Sequence, residues 1–389
     1  MSRVTIINAR LVTPRGVLTN GYLTIEAGRI AAFGDMTGAG ASPRGGGLLD
    51  IGGDHLVPGF VDAQINGGGG RLFNDAPSVD TIATIGAAHA AHGTTGFLPT
   101  LISDDLDVID AAMRAVEAAI DQGVPGVLGI HVEGPFIARA RKGIHDPAKF
   151  RRLDAAAIDL LTSLKRGRTL VTLAPELCGT GDIAALAGAG VIVAAGHTDA
   201  DHATMRAALD AGVTGFTHLF NAMSPMLHRA PGVVGAALDD QASYCGLIAD
   251  GHHVDPAVLR IVLRARPIDR CMLVSDAMPA VGSAHRSFPL NGVTIEVRDG
   301  VCVGPDGTLA GCDLTMALAV RNIMTMTGIG IEAASMMASL APARFLRLDD
   351  VTGSIEVGRA ADLVWLGREG DAKGVWQHGR LNAAQSAAA

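Results

Sequence analysis

The stretch "VLGIHVEG", residues 127–134, is a short apolar run that ends in polar side chains. Gly134 and Pro135 stop it, as expected for a buried strand that enters a loop. Glu133 lies at the end of this run, where removing a carboxylate from water is costly unless a partner compensates. The stretch therefore predicts a buried strand that ends in a carboxylate with a compensating partner.

Seven further runs of this kind occur along the chain, with helical patterns between most of them. They are "LVPGFVDAQING" (56–67), "TTGFLPT" (94–100), "TLVTLAPE" (169–176), "VIVAAGHT" (191–198), "VTGFTHLF" (213–220), "CGLIADGHH" (245–253) and "CMLVSDAM" (271–278). One helix is predicted over residues 103–122, with Ser103 as its N-cap and Gly123 beyond its end. Eight successive βα units in about 290 residues predict an α/β fold, a (β/α)8 TIM barrel over residues 57–350.

The composition limits the classes of protein to which the chain can belong. With 389 residues, 48% hydrophobic and 18% charged, it suits one large domain and a small one. No apolar window reaches the length of a membrane span and the N-terminus lacks a secretory signal, so we expect no membrane partner. The net charge of −8 argues against a nucleic-acid partner. Five cysteines without a CxxC pair favour reduced thiols and a cytoplasmic protein.

Polar side chains stand at the end of nearly every predicted strand. They are Gln64 and Asn66, Glu133, Glu176, His197, His218, Asp250 with His252 and His253, and Ser275 with Asp276. Barrel enzymes place their chemistry at this face. One such residue is more often a cap or a satisfied polar group, but several titratable groups on one rim favour an active site.

Glu133, His197 and His218 supply one carboxylate oxygen and two imidazole nitrogens. This set is typical of a catalytic zinc site, which has three protein ligands and an open position for water. A bound divalent cation would compensate for the burial of Glu133. Asp276 would then stand near the metal water, where it can act as the general base.

The order of the motifs resembles that of the N-acetylglucosamine-6-phosphate deacetylases, a family of the amidohydrolase superfamily. The matching segments are "PGFVDAQINGGGG" (58–70), "HVEGPF" (131–136), "KGIHDP" (142–147), "AGHTDA" (195–200), "THLFNAMSPMLHR" (217–229), "ADGHHVD" (249–255), "VSDAM" (274–278) and "LAGCDLTM" (309–316). The pattern "PGF-x-D" alone recurs across many amidohydrolases, whereas "HVEGPF" together with "THLFNAM" is specific. The segments span nearly the whole chain.

The resemblance implies a role for each matching position. Glu133, His197 and His218 correspond to the metal ligands, and Asp276 corresponds to the catalytic aspartate. His145 corresponds to a histidine near the acetamide group of the substrate, with a catalytic and a binding role. The implied substrate contacts are Asn221, Ala222, Arg229, His253, Leu309, Ala310 and Gly311, several of them near the phosphate. An arginine suits that position because its guanidinium can bind phosphate through two hydrogen bonds.

The first predicted barrel strand departs from the superfamily pattern. Many members carry His-x-His there and hold a second metal, whereas this chain has Gln64 and Asn66. Neutral amides are poor ligands for a transition metal beside imidazole and carboxylate. The only lysines are at 142, 149, 165 and 373, outside the predicted barrel strands, so no bridging lysine is available. We therefore expect one divalent metal ion per subunit, and zinc (Zn2+) is the ion that we predict.

In this superfamily the terminal strands form a small β-sandwich beside the barrel, which predicts such a domain from residues 1–56 and 351–389. Its strands are supplied by "VTIINARLVT" (4–13), "YLTIEAGRIAAFG" (22–34) and "GSIEVGRAADLVWL" (353–366). The glycine run Gly45–Gly47 is interpreted as a loop, and the tail "NAAQSAAA" (382–389) as disordered.

The resemblance implies metal-dependent hydrolysis of the N-acetyl group of N-acetylglucosamine 6-phosphate, giving glucosamine 6-phosphate and acetate. The alternatives are the N-acetylgalactosamine 6-phosphate epimer, a cyclic amidohydrolase and a non-catalytic sugar-phosphate sensor. A cyclic amidohydrolase normally needs the His-x-His pair and the lysine, and a sensor does not need an intact Asp276. In the family, the arginine at the position of Arg229 reaches the phosphate from a neighbouring subunit, which implies a homodimer or a dimer of dimers.

Overall fold

A computed structural model describes residues 3–37 and 46–383 of the chain. Five strands precede the barrel: β1 (Val4–Thr13), β2 (Gly16–Glu26), β3 (Arg29–Asp35), β4 (Gly47–Asp50) and β5 (His55–Pro58). The next ten are β6 (Phe60–Ile65), β7 (Gly67–Gly68), β8 (Arg71–Leu72), β9 (Thr94–Ile102), β10 (Gly129–Glu133), β11 (Arg168–Leu173), β12 (Ile192–Ala195), β13 (Val213–Phe216), β14 (Tyr244–Leu247) and β15 (Cys271–Leu273). The last seven are β16 (Ser287–Leu290), β17 (Val293–Arg298), β18 (Val301–Val303), β19 (Leu309–Cys312), β20 (Leu363–Leu366), β21 (Ala372–Gln377) and β22 (Arg380–Ala383).

The helices lie mainly between the barrel strands. They are α1 (Val79–Ala90), α2 (Leu106–Asp121), α3 (Ala155–Leu161), α4 (Thr180–Gly188), α5 (His202–Asp210), α6 (Gly232–Asp239), α7 (Pro256–Ala265), α8 (Met316–Thr327), α9 (Ile331–Ser335) and α10 (Ala341–Phe345). A π-helical segment, Met336–Leu340, joins the last two. Within the described part of the chain, no helix is both long and apolar enough to cross a membrane.

Eight parallel strands form the nearly closed barrel that the sequence predicts. Their order is β6–β9–β10–β11–β12–β13–β14–β15, each strand beside the next in the chain apart from the short β7–β8 hairpin. A bridge between Ile65 and Ala277 joins the first strand to the segment that follows the last. Asp276 N–H also donates to Gln64 O at 3.1 Å across this seam. Because all eight strands run in one direction, their carboxyl ends meet at one rim.

Helix α2 begins at Leu106 with Asp105 as its N-cap, so the prediction that Ser103 caps this helix is wrong. Ser103 directly follows β9, and its backbone N–H and hydroxyl both contact His145. The predicted end of the helix is confirmed, because Gly123 follows the cap residue with a φ of 71°. This left-handed conformation favours glycine.

A second sheet joins the two ends of the chain. Its strand order is β22–β21–β20–β5–β1–β2–β3, and β4 pairs with β1. β20 and β5 pair antiparallel, with Leu363 opposite Pro58. The sheet has its own apolar cluster, which includes Ile6, Leu23 and Trp376. The fold therefore combines the barrel with a small β domain built from both termini, as predicted.

Two segments of the small domain differ from the prediction. Within residues 353–366 only Leu363–Leu366 forms a strand, although Ile355 is buried in the same apolar cluster. Gly47, predicted to lie in a loop, begins β4, and Gly45 lies outside the described residues. Ile355 thus contributes to the apolar pattern of this segment through burial alone, without strand pairing.

The tail that was predicted to be disordered contributes Asn382 and Ala383 to β22, where pairing with β21 orders the backbone. Residues 384–389 lie outside the described range. We propose that the barrel spans residues 57–350 and that residues 1–56 and 351–389 form the small domain. β5, which ends at Pro58, pairs with β1 and β20 of the small domain.

Four strands, β16–β19, form an antiparallel sheet between barrel strand β15 and helix α8. This sheet is absent from the sequence-based prediction. Phe288, Ile295 and Cys302 pack in its core against Met278 of the barrel rim. A bridge between Ala277 and Cys312 fixes its last strand beside the carboxyl ends of the barrel strands.

Candidate active site

Three barrel strands bring together the predicted metal ligands. Glu133 ends β10, while His197 and His218 each lie two residues beyond their strands, β12 and β13. Glu133 Oε1 lies 2.9 Å from His218 Nε2 and 3.2 Å from His197 Nε2. The two histidine Nε2 atoms are 3.1 Å apart. All three side chains are buried, so the cluster is a compact set of one oxygen and two nitrogens.

The backbone at the strand ends is unusual. His197, His218 and Asp276 have φ angles of 49°, 31° and 49°, in the left-handed region that few non-glycine residues adopt. Each such residue costs on the order of 1–3 kcal/mol and persists where the surrounding structure imposes it. The residue before His197 must be small, because a Cβ at Gly196 would lie 2.7 Å from Thr172 Cγ2. Strain of this kind concentrates at functional sites.

The cluster fits a divalent cation. His197 Nδ1 donates to Arg141 O at 2.8 Å, which leaves the Nε2 lone pair free to bind metal. Ligands at 2.0–2.2 Å from a tetrahedral zinc ion lie about 3.3–3.6 Å from one another. The observed separations of 2.9–3.2 Å need only small shifts to reach that range. The donor set also matches the borderline preference of zinc for nitrogen and oxygen ligands.

The charges within the cluster favour an ionised carboxylate. Burial works against the charge of Glu133, but contacts with His197 and His218 outweigh it and hold the pKa of Glu133 well below its usual value. Burial likewise lowers the pKa of His218, but the hydrogen bond to Glu133 outweighs it and raises this pKa to about 8. Both shifts show a site that stabilises positive charge next to Glu133, as a metal ion requires.

Two amides, Gln64 on β6 and Asn66 directly after it, hold the carboxylates of the site. Gln64 Nε2 lies 3.2 and 3.3 Å from the Glu133 oxygens and 3.0 Å from Asp276 Oδ1. Asn66 Nδ2 donates to Asp276 Oδ1 at 2.7 Å. The residues that replace the superfamily's histidine pair therefore act as hydrogen-bond donors to the carboxylates. The sequence excluded them as ligands but did not predict this role.

Asp276 presents one free oxygen. Its Oδ1 accepts from Gln64 and Asn66, whereas Oδ2 has no hydrogen-bond partner among the described residues. Burial, followed by the negative charge of Glu133, raises the pKa of Asp276. A carboxylate with one anchored oxygen, one free oxygen and a raised pKa can accept and return a proton.

His145 is held by Ser103. Ser103 N–H donates to His145 Nδ1 at 3.3 Å, and Ser103 Oγ lies 2.8 Å from the same nitrogen. Burial lowers the pKa of His145 to about 3, so this imidazole is neutral. The neighbouring His131 is also neutral, since burial lowers its pKa to about 4. Unlike His145, it has hydrogen-bond partners at both ring nitrogens, the hydroxyls of Thr100 and Thr172.

An open cavity of about 310 Å³ lies over the cluster. Its walls include the following predicted residues: Glu133, His145, His197, His218, Asn221, Ala222, His253, Asp276, Leu309, Ala310 and Gly311. Asn66 and Ile102 also line it. Arg229 is not among the lining residues and is exposed to solvent. One chain therefore brings together every predicted site residue except Arg229.

The structure adds site residues that the sequence analysis did not assign. Arg141 is the only arginine or lysine among the described residues that line the cavity, and it pairs with Asp199 at 2.7 Å. Asp250 Oδ2 contacts His253 Nδ1 at 2.6 Å and so orients that ring. Glu176, by contrast, lies outside the cavity and accepts the Asp199 N–H at 2.7 Å. The sequence analysis placed Asp250 at a strand end but gave it no individual role, and no pattern in the sequence distinguished Arg141.

A model of the amidohydrolase family matches residues 55–381. The chain belongs to the amidohydrolase family. This amidohydrolase is 42% identical to an N-acetylgalactosamine-6-phosphate deacetylase of Shewanella sp. (strain ANA-3), over 84% of this chain and 82% of the relative. It is 40% identical to an N-acetylglucosamine-6-phosphate deacetylase of Bos taurus, over 82% of this chain and 80% of the relative.

The fold of this amidohydrolase is similar to solved structures of the same group. A crystal structure of N-acetylglucosamine-6-phosphate deacetylase from Pasteurella multocida superposes with a TM-score of 0.94 at 33% identity, covering 98% of this chain and 100% of that one. The family is metal-dependent, and this amidohydrolase has a buried cluster of Glu133, His197 and His218 that could bind a metal.

Proposed function

We propose that this amidohydrolase hydrolyses the N-acetyl group of N-acetylglucosamine 6-phosphate, giving glucosamine 6-phosphate and acetate. The observation that carries the proposal is the cluster of Glu133, His197 and His218 in one cavity with the free oxygen of Asp276. Relatives named as deacetylases of phosphorylated amino sugars support the substrate class.

The residues of this chain account for the movement of protons in the reaction. A divalent cation held by Glu133, His197 and His218 would supply Lewis acidity, which lowers the pKa of water and polarises a carbonyl. Asp276 Oδ2 takes a proton from the attacking water. His145 steadies the developing oxyanion, as preorganised donors do in acyl transfer. Asp276 then returns the proton to the departing nitrogen, so that the free amine and acetate form.

We propose one zinc ion per subunit. The amides of Gln64 and Asn66 occupy the place where a second metal would need ligands, and both already donate to Asp276. An amide N–H that donates to a carboxylate points a hydrogen, not a lone pair, into the site.

We also propose that the protein is cytoplasmic, since all five cysteines are free thiols and four of them are buried.

The N-acetylgalactosamine epimer is the second candidate substrate, because a relative with that name is 42% identical to this chain. We expect the purified, metal-loaded enzyme to release acetate from at least one of the two sugar phosphates. Comparing kcat/KM on both, with the unphosphorylated sugars as controls, tests the proposal. A chain that binds the sugar phosphates but releases no acetate from either would instead be a sensor.

We further propose a homodimer in which Arg229 serves the cavity of the partner subunit. Within one chain Arg229 lies outside the cavity, on a loop where Met226 and Leu227 are 55% and 57% exposed. Exposed apolar side chains beside an arginine are common at interfaces between subunits. A dimer or a dimer of dimers would bury this loop and bring the guanidinium to the phosphate.

Replacing Arg229 by alanine should lower kcat/KM for the phosphorylated sugar roughly 10- to 150-fold. This range corresponds to a charge-assisted contact of about 1.5–3 kcal/mol. The unphosphorylated sugar should be much less affected, because it lacks the group that the guanidinium binds. Steady-state kinetics on both sugars measures the difference.

Mixing Arg229→Ala chains with Asp276→Asn chains separates a shared site from a private one. Each mixed dimer would contain one site with both residues intact and one with both replaced. Random re-pairing should leave roughly a quarter of all sites intact in a two-fold dimer. If activity never exceeds the average of the separate variants, Arg229 serves its own subunit or none.

A further inference from the structure

We propose that Ser103 is a positioning residue, which holds the His145 imidazole with its proton on Nε2 and with that nitrogen available to the cavity. The proposal rests on the proposed function, because it makes His145 Nε2 the donor to the acetyl oxygen of the substrate. Ser103 acts through His145 and does not itself contact the reacting atoms.

The hydrogen bonds at Nδ1 assign the tautomer. Ser103 N–H lies 3.3 Å from His145 Nδ1, and a backbone N–H can only donate. Nδ1 must therefore carry a lone pair, so the ring cannot be protonated at both nitrogens and its single proton is on Nε2. Ser103 Oγ, at 2.8 Å, is a second donor to the same lone pair. Nε2 has no hydrogen-bond partner among the described residues, and the ring lines the cavity.

The surroundings keep the ring in this orientation. Ser103 and His145 are only 6% and 3% exposed. The His145 ring packs against the His197 ring, with their centres 4.4 Å apart. The backbone N–H of His145 donates to Lys142 O at 3.0 Å, which fixes the main chain at this position. Gly134 leaves room for the hydroxyl, because a Cβ at that position would collide with Ser103 Oγ. The glycine after Glu133 thus makes space for the group that orients His145.

The tautomer decides what His145 can do. With the proton on Nε2, the ring offers a donor to the oxygen of the acetyl group, and that hydrogen bond strengthens as negative charge develops on the oxygen. The opposite tautomer would offer a lone pair to the same oxygen and repel it. Only the tautomer that the Ser103 backbone selects is therefore compatible with oxyanion stabilisation.

The direct test is long-range 1H–15N correlation spectroscopy on the zinc-loaded protein labelled with 15N-histidine. Comparison with the His145→Gln variant identifies the His145 signals. We expect the nitrogen shifts of a ring with a bare Nδ1 and a protonated Nε2. A ring protonated at Nδ1, or at both nitrogens, contradicts the proposal.

The kinetic test compares Ser103→Ala with Ser339→Ala. Ser339 is a matched control, because its hydroxyl is also buried and donates to a backbone carbonyl, that of Pro58, away from the cavity. We expect Ser103→Ala to lower kcat about 2- to 12-fold, the effect of one ordinary hydrogen bond. KM and metal content should change less than about twofold in the same variant, since the contact acts on the charge of the transition state.

The control variant should lose thermal stability but keep its kcat. An unchanged kcat in Ser103→Ala, or an equal loss of kcat in Ser339→Ala, overturns the positioning role of the Ser103 hydroxyl, whereas the role of the backbone N–H, which alanine keeps, is decided by the spectroscopic test. Failure of the proposed function is distinguishable, because it appears as wild-type protein that releases no acetate, whatever the tautomer of His145.

Discussion

Replacing Asp276 by asparagine is expected to lower kcat roughly 10²–10⁴-fold, while the chain keeps its fold and its metal. Asparagine can keep an oxygen at the Oδ1 position, where Gln64 and Asn66 donate at 3.0 and 2.7 Å. It puts an NH2 group where Oδ2 stands, and that group cannot accept a proton. Acetate release, metal analysis and thermal melting on the same preparation measure the three quantities.

Asp313→Asn is the matched control for this variant. Asp313 is a partly buried carboxylate near the same rim, paired with Arg286 at 2.6 Å, and it does not line the cavity. It should retain nearly full activity. If Asp276→Asn loses its metal together with its activity, Asp276 is a ligand rather than the proton carrier, and the assigned role is wrong.

Replacing His218 by alanine should abolish both tight metal binding and acetate release. The wild-type protein should retain one divalent ion per chain after dialysis. Among the described residues, Glu133, His197 and His218 form the only group of three or more potential metal ligands whose ligand atoms all lie within 4.8 Å of one another. Removing one of three ligands leaves two, too few for a stable tetrahedral site. Elemental analysis gives the ion count, and added zinc should restore little activity.

The exposed His285 provides the control for the metal experiment. His285→Ala should keep one ion per chain and its full rate. Two tightly held ions per wild-type chain would overturn the single-metal proposal, and so would a His218→Ala variant that still holds zinc. Two ions per chain would mean that the side chains of Gln64 and Asn66 give up their hydrogen bonds to Asp276 and bind a second ion.

The barrel and its metal cluster could be predicted because both depend on local patterns. Apolar runs that end at glycine or proline mark buried parallel strands, and one fold places all their ends at one rim. Glu133, His197 and His218 each stand at or just beyond such an end. Their convergence within about 3 Å then follows from the geometry of the barrel rather than from any pairwise signal.

Other features depend on contacts that no local pattern records. Ser103 precedes a helical stretch and has the chemistry of a cap, yet Asp105 takes that place and Ser103 binds His145, 42 residues away. The sheet β16–β19 consists of short, half-exposed strands that resemble loop sequence. Gln64 could be excluded as a ligand by its chemistry, but its donation to Glu133 requires two strands to be in place.

The pairing of β5 with β20 has a consequence for synthesis on the ribosome. Leu363 lies opposite Pro58, so β5 must wait for a partner made about 300 residues later. At 5–20 residues per second this delay lasts roughly 15–60 s. During that time the barrel can close, while the nascent amino-terminal strands expose an unpaired edge that invites aggregation. Chains that stop before Leu363 would keep this edge permanently, which makes premature termination more harmful here than the loss of a distant tail suggests.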